Sequence, residues 1–208
     1  MGKWMGMICV VLGVVCLLSA VGLVVYNRWE AGRAEETAQA LLANVQSIMD
    51  EKPQEQFLHE DTVNLPNHLE KRPTEMATVK VGGYDCIGIL SVPVLELELP
   101  VLTDWSYAKL KKAPCHYYGT YYEKDFVIAA HNYQSHFGRL SELRTGDIVF
   151  FTDVNGAAYY YEVVLLETLP GEATEEMITA GFDLSLYTCT PGGASRVTVR
   201  CNAVKDGN

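Results

Sequence analysis

Apolar and polar positions divide the chain into regimes of different period. From Trp4 to Tyr26, WMGMICVVLGVVCLLSAVGLVVY holds 23 residues without a charge. At about 1.5 Å per residue, a helix of that length crosses a hydrocarbon core of roughly 30 Å with some tilt. The stretch predicts a transmembrane anchor over 4–26 behind a cytoplasmic tail of residues 1–3. A cleaved signal peptide, with Ala20-Val21-Gly22 as its small-residue site, is the competing reading. The run continues past that site through Leu23 to Tyr26, which exceeds a signal core. Lys3 on one side is balanced by Arg28 and Arg33 on the other, so the charge rule gives little orientation. Beyond the anchor, Ala38, Leu41, Leu42, Val45, Ile48 and Met49 recur at helical spacing and predict an amphipathic helix over 27–50, closed by Pro53.

Periodicity then disappears. Residues 51–76 contain three prolines and many charges, the pattern of a solvated linker, and His59 and His68 belong to it. From residue 77 the alternation becomes that of strands: ATVKV, CIGILSV, VLELELPVL, FVIAA and DIVFFTD, the last joined to AAYYYEVVLLETL around Asn155-Gly156, a strong hairpin signal. GRLSELR (138–144) and EATEEMI (172–178) read as short helices. Seven or eight short strands with few helices predict a mostly β domain, a closed barrel or a sandwich, over 77–208.

Charge narrows the partners. The formal net charge is −10, and the first 28 residues contribute only the cations Lys3 and Arg28, so the remainder carries −12. Nucleic acid, whose binding rests on Lys and Arg neutralising phosphates, is not an expected partner. Of six cysteines, Cys9 and Cys16 lie in the apolar run. Cys86, Cys115, Cys189 and Cys201 allow three disulfide pairings, among which sequence does not choose. No CxxC or regular Cys/His spacing marks a zinc site. Glu172, Glu175 and Glu176 invite a calcium site, but acids also favour helix amino termini, so no cofactor is expected.

Candidate chemistry gathers in LSLYTCTPGGASRVTVRC, residues 184–201. Strand alternation puts Leu184, Leu186 and Thr188 on one face and Ser185, Tyr187 and Cys189 on the other. A turn at Pro191-Gly192-Gly193 sets Cys189 opposite Arg196, with Arg200 opposite Ser185. A guanidinium beside a thiol favours thiolate or binds an oxyanion, whereas an ordinary hairpin with an inert thiol is the plain alternative. FVIAA ends at His131, in AAHNYQSHFGRL, where an imidazole at the mouth of a buried strand suits acid–base work. His136 and His116 are its rivals.

These stretches, in this order, resemble a sortase. SLYTC (185–189) is similar to the family's TLxTC strand, RVTV to the strand that opens with its arginine at Arg196, and AAHN to its GHN-type histidine at His131. IGILSVPVLELELPVL (87–102) and HFGRLSELRTGDIVFF (136–151) are also sortase-like, so the similarity covers roughly residues 80–204. Ala130 stands where the family has glycine and Ser185 where it has threonine. The resemblance implies a sortase-like β-barrel and a cysteine transpeptidase. Cys189 would attack the threonine carbonyl of an LPXTG-like sorting signal. His131 would protonate the departing amine and deprotonate the incoming one. Arg196 would orient substrate and stabilise the oxyanion, and Thr188 and Asn132 would bind substrate. Sorting-signal-bearing surface proteins and an amine of a cell-wall precursor or pilin would be its partners. The protein would be single-pass in the cell membrane, with its catalytic domain on the extracellular face. A second hydrophobic segment after Cys201 is absent, which leans toward housekeeping or class B/D-like wall attachment. A thiol peptidase releasing product to water and a non-enzymatic tethered β-domain remain the alternatives.

Overall fold

No proline interrupts the chain between Trp4 and Glu51, so nothing breaks the helical hydrogen-bond ladder. A computed structural model, which describes residues 2–51 and 75–204, accordingly joins the anchor and the amphipathic segment in one helix, α1 (Gly2–Glu51). Its two halves differ in surroundings. From Gly6 to Arg28 its residues are exposed, and the helix is long and apolar enough to cross a membrane. From Ala34 to Val45 one stripe, Ala34, Ala38, Leu41, Leu42 and Val45, is buried. Pro53 and nearly all of the expected linker, with His59 and His68, lie outside the described residues, as do residues 205–208.

The strands are β1 (Val79–Val81), β2 (Tyr84–Val92), β3 (Leu97–Leu102), β4 (Cys115–Tyr118), β5 (Phe126–Ala129), β6 (Ile148–Asp153), β7 (Ala158–Pro170), β8 (Leu184–Cys189) and β9 (Ser195–Ala203). Pairing of β2 with both β3 and β6 closes eight of them into a barrel, in the order β2-β3-β4-β5-β8-β9-β7-β6, and β1 adds to β2 beside that ring. The expected closed barrel is therefore present. Its pairs are antiparallel except β3–β4 and β5–β8. Gly88 makes the closure sterically possible at a bulge in β2, because a Cβ there would sit 2.2 Å from the Thr152 carbonyl oxygen.

Local chemistry shortens several expected elements. Strand VLELELPVL begins only at Leu97, because Pro93 opens a 3-10 turn, Pro93–Leu95, that Glu96 ends with φ 53°. GRLSELR forms a single 3-10 turn, Leu140–Glu142, and EATEEMI a five-residue helix. In order, the short helices are α2 (Tyr107–Leu110) and α3 (Thr174–Ile178).

Two apolar clusters hold the fold. Ile87, Phe126, Ile128, Phe151, Leu184, Leu186 and Val199 fill the barrel. On its outer wall, Leu41, Leu42 and Val45 of α1 cover Cys86, Ile89, Leu102 and Cys115. Each of those three α1 side chains contributes about 1.5–3 kcal/mol by burial, which seats the second half of α1 on the barrel. All six cysteines are free thiols.

Candidate active site

Strand β8 lies between β5 and β9, and its register with each brings the candidate residues together. Across β9 the pairs run from Leu184↔Cys201 to Cys189↔Arg196. The turn that sets this register places Gly192 and Gly193 at φ 87° and 76°, where a Cβ is disfavoured, and the Gly193 amide donates to the Thr190 carbonyl at 2.8 Å. Across β5 the pairs are parallel, from Phe126↔Leu184 to Ala129↔Tyr187. One residue further, the Ala130 amide donates to the Tyr187 carbonyl at 3.2 Å and the Thr188 hydroxyl donates to the Ala130 carbonyl at 2.9 Å. His131 follows two residues after the end of β5, at the same end of the sheet as Cys189, the last residue of β8. Directly paired residues of adjacent strands share a face, and adjacent strands lie about 4.8 Å apart. Cys189 and Arg196 thus form a row on the face opposite Leu184 and Leu186 of the core, and His131 follows β5 at the same end of the sheet.

Exposure separates this thiol from the others. Cys189 is partly exposed, whereas Cys86, Cys115 and Cys201 are buried. Burial pushes the Cys86 thiol up to about 11 and those of Cys115 and Cys201 up to about 12. At neutral pH these three are inert as nucleophiles.

Arg196 is tied to its own turn: Nη1 donates to the Gly193 carbonyl at 3.1 Å and to the Ser195 carbonyl at 3.3 Å. Its Nε and Nη2 donors make no hydrogen bond among the described residues, so they remain available at the row. His131 stacks on Tyr133, with centroids 4.8 Å apart and planes 20° apart. Partial burial lowers its pKa from the ordinary value, the Lys111 cation lowers it further, and Glu30 opposes both. The loop that carries His131 folds back tightly. The Phe137 amide donates to the His131 carbonyl at 3.1 Å, and Gly138 packs where a Cβ would sit 2.6 Å from the Asn132 carbonyl oxygen.

Asn132 is half-buried in that loop, with no side-chain hydrogen bond among the described residues. Thr188 is only 3% exposed and its hydroxyl is spent on Ala130, so it lies beneath the row and holds β5 to β8. The rival histidines are elsewhere. His116 sits between the carbonyls of Thr103 and Gly119, at 3.0 and 2.8 Å. His136 is fully buried, with neither ring nitrogen hydrogen-bonded among the described residues. Burial and then His131 push its pKa down to about 4; the nearby Ala34 carbonyl opposes this without reaching hydrogen-bond geometry.

Strand alternation places Arg200 on the same face as Arg196, yet Arg200 is 1% exposed. Its guanidinium donates to Ser185 Oγ at 2.9 Å, the Glu176 and Met177 carbonyls at 2.7 and 3.1 Å, and Glu167 Oε1 at 2.8 Å. It therefore latches α3, and with it the whole β7–β8 connection, onto the sheet. The one sequence signal for this was Ser185, a small polar residue directly across from a long cation. Glu175 and Glu176 occupy the first turn of α3, and no three His, Cys, Asp or Glu side chains converge as a metal site among the described residues.

The comparisons with known proteins bear on this closed barrel. No curated protein matches the chain. Solved structures do. Sortase A from Corynebacterium diphtheriae is 24% identical with a TM-score of 0.54, over 60% of this chain and 63% of that one. Sortase C1 from Streptococcus agalactiae is 25% identical with a TM-score of 0.52, over 59% of this chain and 69% of that one. A Clostridium perfringens sortase D5 transpeptidase is 18% identical with a TM-score of 0.52, over 58% of this chain and 80% of that one. The chain thus spans less than two thirds of the length of the Corynebacterium protein, and these likenesses are of fold. The sortase-domain family model matches residues 90–204, more than half of the sequence and the part that contains β8, β9 and the His131 loop. With barrel, motif order and domain match in agreement, the chain belongs to the sortase family.

Proposed function

We propose that this protein is a cysteine transpeptidase that cleaves an LPXTG-like sorting signal and joins the acyl product to an amine. The observation that carries the reading is the cross-strand pair of the partly exposed Cys189 with Arg196, at the end of the sheet where His131 follows β5.

Cys189 Sγ, as thiolate, attacks the threonine carbonyl carbon of a bound signal. The carbonyl π electrons move to oxygen, and the free Nε and Nη2 donors of Arg196 receive that oxyanion. On collapse the C–N bond breaks, and His131 gives its proton to the departing amine, leaving a thioacyl enzyme. An incoming amine then attacks the thioester, His131 takes its proton, and the thiolate leaves. The lowered pKa of His131 suits the second half, because a neutral imidazole is the dominant form at neutral pH. Thr188 holds the two strands in register, and Asn132 contacts substrate from the His131 loop. Acceptor amines of a cell-wall precursor or a pilin fit this chemistry. The uncovered apolar half of α1 supports a single-pass anchor, and acceptor amines of a wall precursor or pilin call for a barrel on the extracellular face.

Mass spectrometry of the protein with sorting-signal peptides tests the reading. An acyl adduct on Cys189 and a ligated product on adding an amine are expected. Only hydrolysed peptide, with no ligated product at any amine, would instead make it a thiol peptidase, and no adduct at all would leave a tethered β-domain.

A further inference from the structure

The docking stripe of α1 contains one anomaly. Ala34, Ala38, Leu42 and Val45 lie on the face buried against the barrel. Glu30 sits one turn before Ala34, on the same face, where helical spacing calls for another apolar residue. Its carboxylate accepts a hydrogen bond from Lys111 Nζ, in the segment between α2 and β4. Lys111 is 46% exposed on its side chain and Glu30 26%, and ion pairs at such exposure stabilise little. Stability alone does not account for an acid on the docking stripe.

Position does. The next turn of α1 lies against the His131 loop: Ala34 is buried, and its carbonyl faces the fully buried ring of His136. Tyr133, stacked on His131, is 5.5 Å from His136, so the loop is layered between α1 and the acid–base residue. The titratable and charged groups around His131 are Glu30 from α1, Lys111 from the α2–β4 connection, and Tyr133 and His136 from its own loop, with Tyr26 of α1 facing Lys111 and Tyr133 and with Cys189 and Arg196 at the same end of the sheet. Among these, the Glu30–Lys111 pair is the ion pair that ties α1 to the segment beside the site.

We propose that Glu30 and Lys111 are positioning residues for His131, through which the docked root of the membrane helix sets the charge beside the imidazole. With α1 seated, Glu30 holds and neutralises Lys111. If this turn lifts from the barrel, a free ammonium is left next to His131 and disfavours the protonated ring that the departing amine needs. Anchorage and acid–base competence are then one property. The inference rests on His131 being the acid–base residue of the transpeptidase reading.

The test uses the full chain in lipid nanodiscs, with histidine-selective NMR titration and the pH profile of kcat/KM for peptide cleavage. Glu30→Gln should move the His131 titration to lower pH and Lys111→Gln to higher pH. The histidine limb of the profile should move the same way, with kcat changed more than KM and thermal unfolding as in the unsubstituted chain. A merely structural ion pair would lower unfolding temperature in both variants and move the titration in neither, and that result overturns the proposal. His131→Ala is the separate control. Full acyl transfer without the imidazole would refute the assignment of His131 while leaving the titration shifts standing.

Discussion

Arg200 of β9 donates to Ser185 Oγ of β8 at 2.9 Å, and the two residues are directly paired in the sheet. This contact lies on the same face as Cys189 and Arg196, two residue pairs beyond Tyr187↔Thr198. The two arginines of the hairpin thus do different work, and the first prediction separates them.

Arg200→Ala leaves the Glu176 and Met177 carbonyls, the Ser185 hydroxyl and the Glu167 carboxylate without their donor. We expect a loss of about 3–5 kcal/mol in urea unfolding of the barrel. Arg200→Lys should recover little, because an ammonium cannot reproduce the planar fork. Activity will fall as well, since α3 loses its latch, so activity alone does not rank the two arginines. An unfolding midpoint unchanged by Arg200→Ala would contradict the latch.

Arg196→Ala, by contrast, should leave the unfolding midpoint nearly unchanged, because the side chain bonds only to its own turn. Its kcat/KM for peptide cleavage should drop by about 10²–10³-fold, the loss typical of an oxyanion donor. A stable, fully active Arg196→Ala variant would remove the guanidinium from the mechanism.

Thiol reactivity follows the burial pattern. In membrane-embedded protein, a small charged thiosulfonate should add one label per chain, and peptide mapping should place it on Cys189. Cys86, Cys115 and Cys201 are buried and titrate far above neutral, so they should resist. Labelling of any of these three under native conditions would mean the barrel wall opens readily.

His136 makes stability depend on pH with a definite sign. Its ring is neutral in the fold, with a pKa pushed down to about 4 against an ordinary 6.5. Between those values the unfolded chain binds a proton that the folded chain does not, so stability is complete above 6.5 and falls as pH drops toward 4. The total is about 3 kcal/mol at 1.36 kcal/mol per pH unit. His136→Leu should flatten this slope by one proton, measured by urea unfolding between pH 7 and about 4. An unchanged slope would place the titration elsewhere.

Thr188→Val removes the hydroxyl that donates to Ala130 and leaves that carbonyl without this donor. About 1–2 kcal/mol of stability should be lost. Because Ala130 precedes His131, kcat should fall more than KM rises. Equal stability and equal kcat would show that the backbone alone holds β5 to β8.

Much of this was legible because it is local. Strand alternation and the Pro-Gly-Gly turn sufficed to pair Cys189 with Arg196 and Ser185 with Arg200, since a two-residue period and a tight turn leave one register. The 23 uncharged residues from Trp4 announced a membrane-length helix by the same logic. The end of the buried strand FVIAA, together with motif order, favoured His131 over His116 and His136, neither of which ends a buried strand. Their environments also differ: His116 bridges two carbonyls, His136 is sealed under α1, and the partly buried His131 follows β5 at the end of the sheet where Cys189 lies.

Residue order and side-chain period settled which groups share a strand face, where the chain turns and which stretch is apolar enough for lipid. Packing decided what covers each face. Alternation marks Arg196 and Arg200 identically, and only the return of α3 over one end of the hairpin buries the second and leaves the first open. Likewise, no periodicity ties Glu30 to Lys111, 81 positions away, or lays the root of the membrane helix on the His131 loop. Those contacts arise because a closed barrel brings distant segments side by side, and the cost of burying a charge is set by the neighbours that closure supplies.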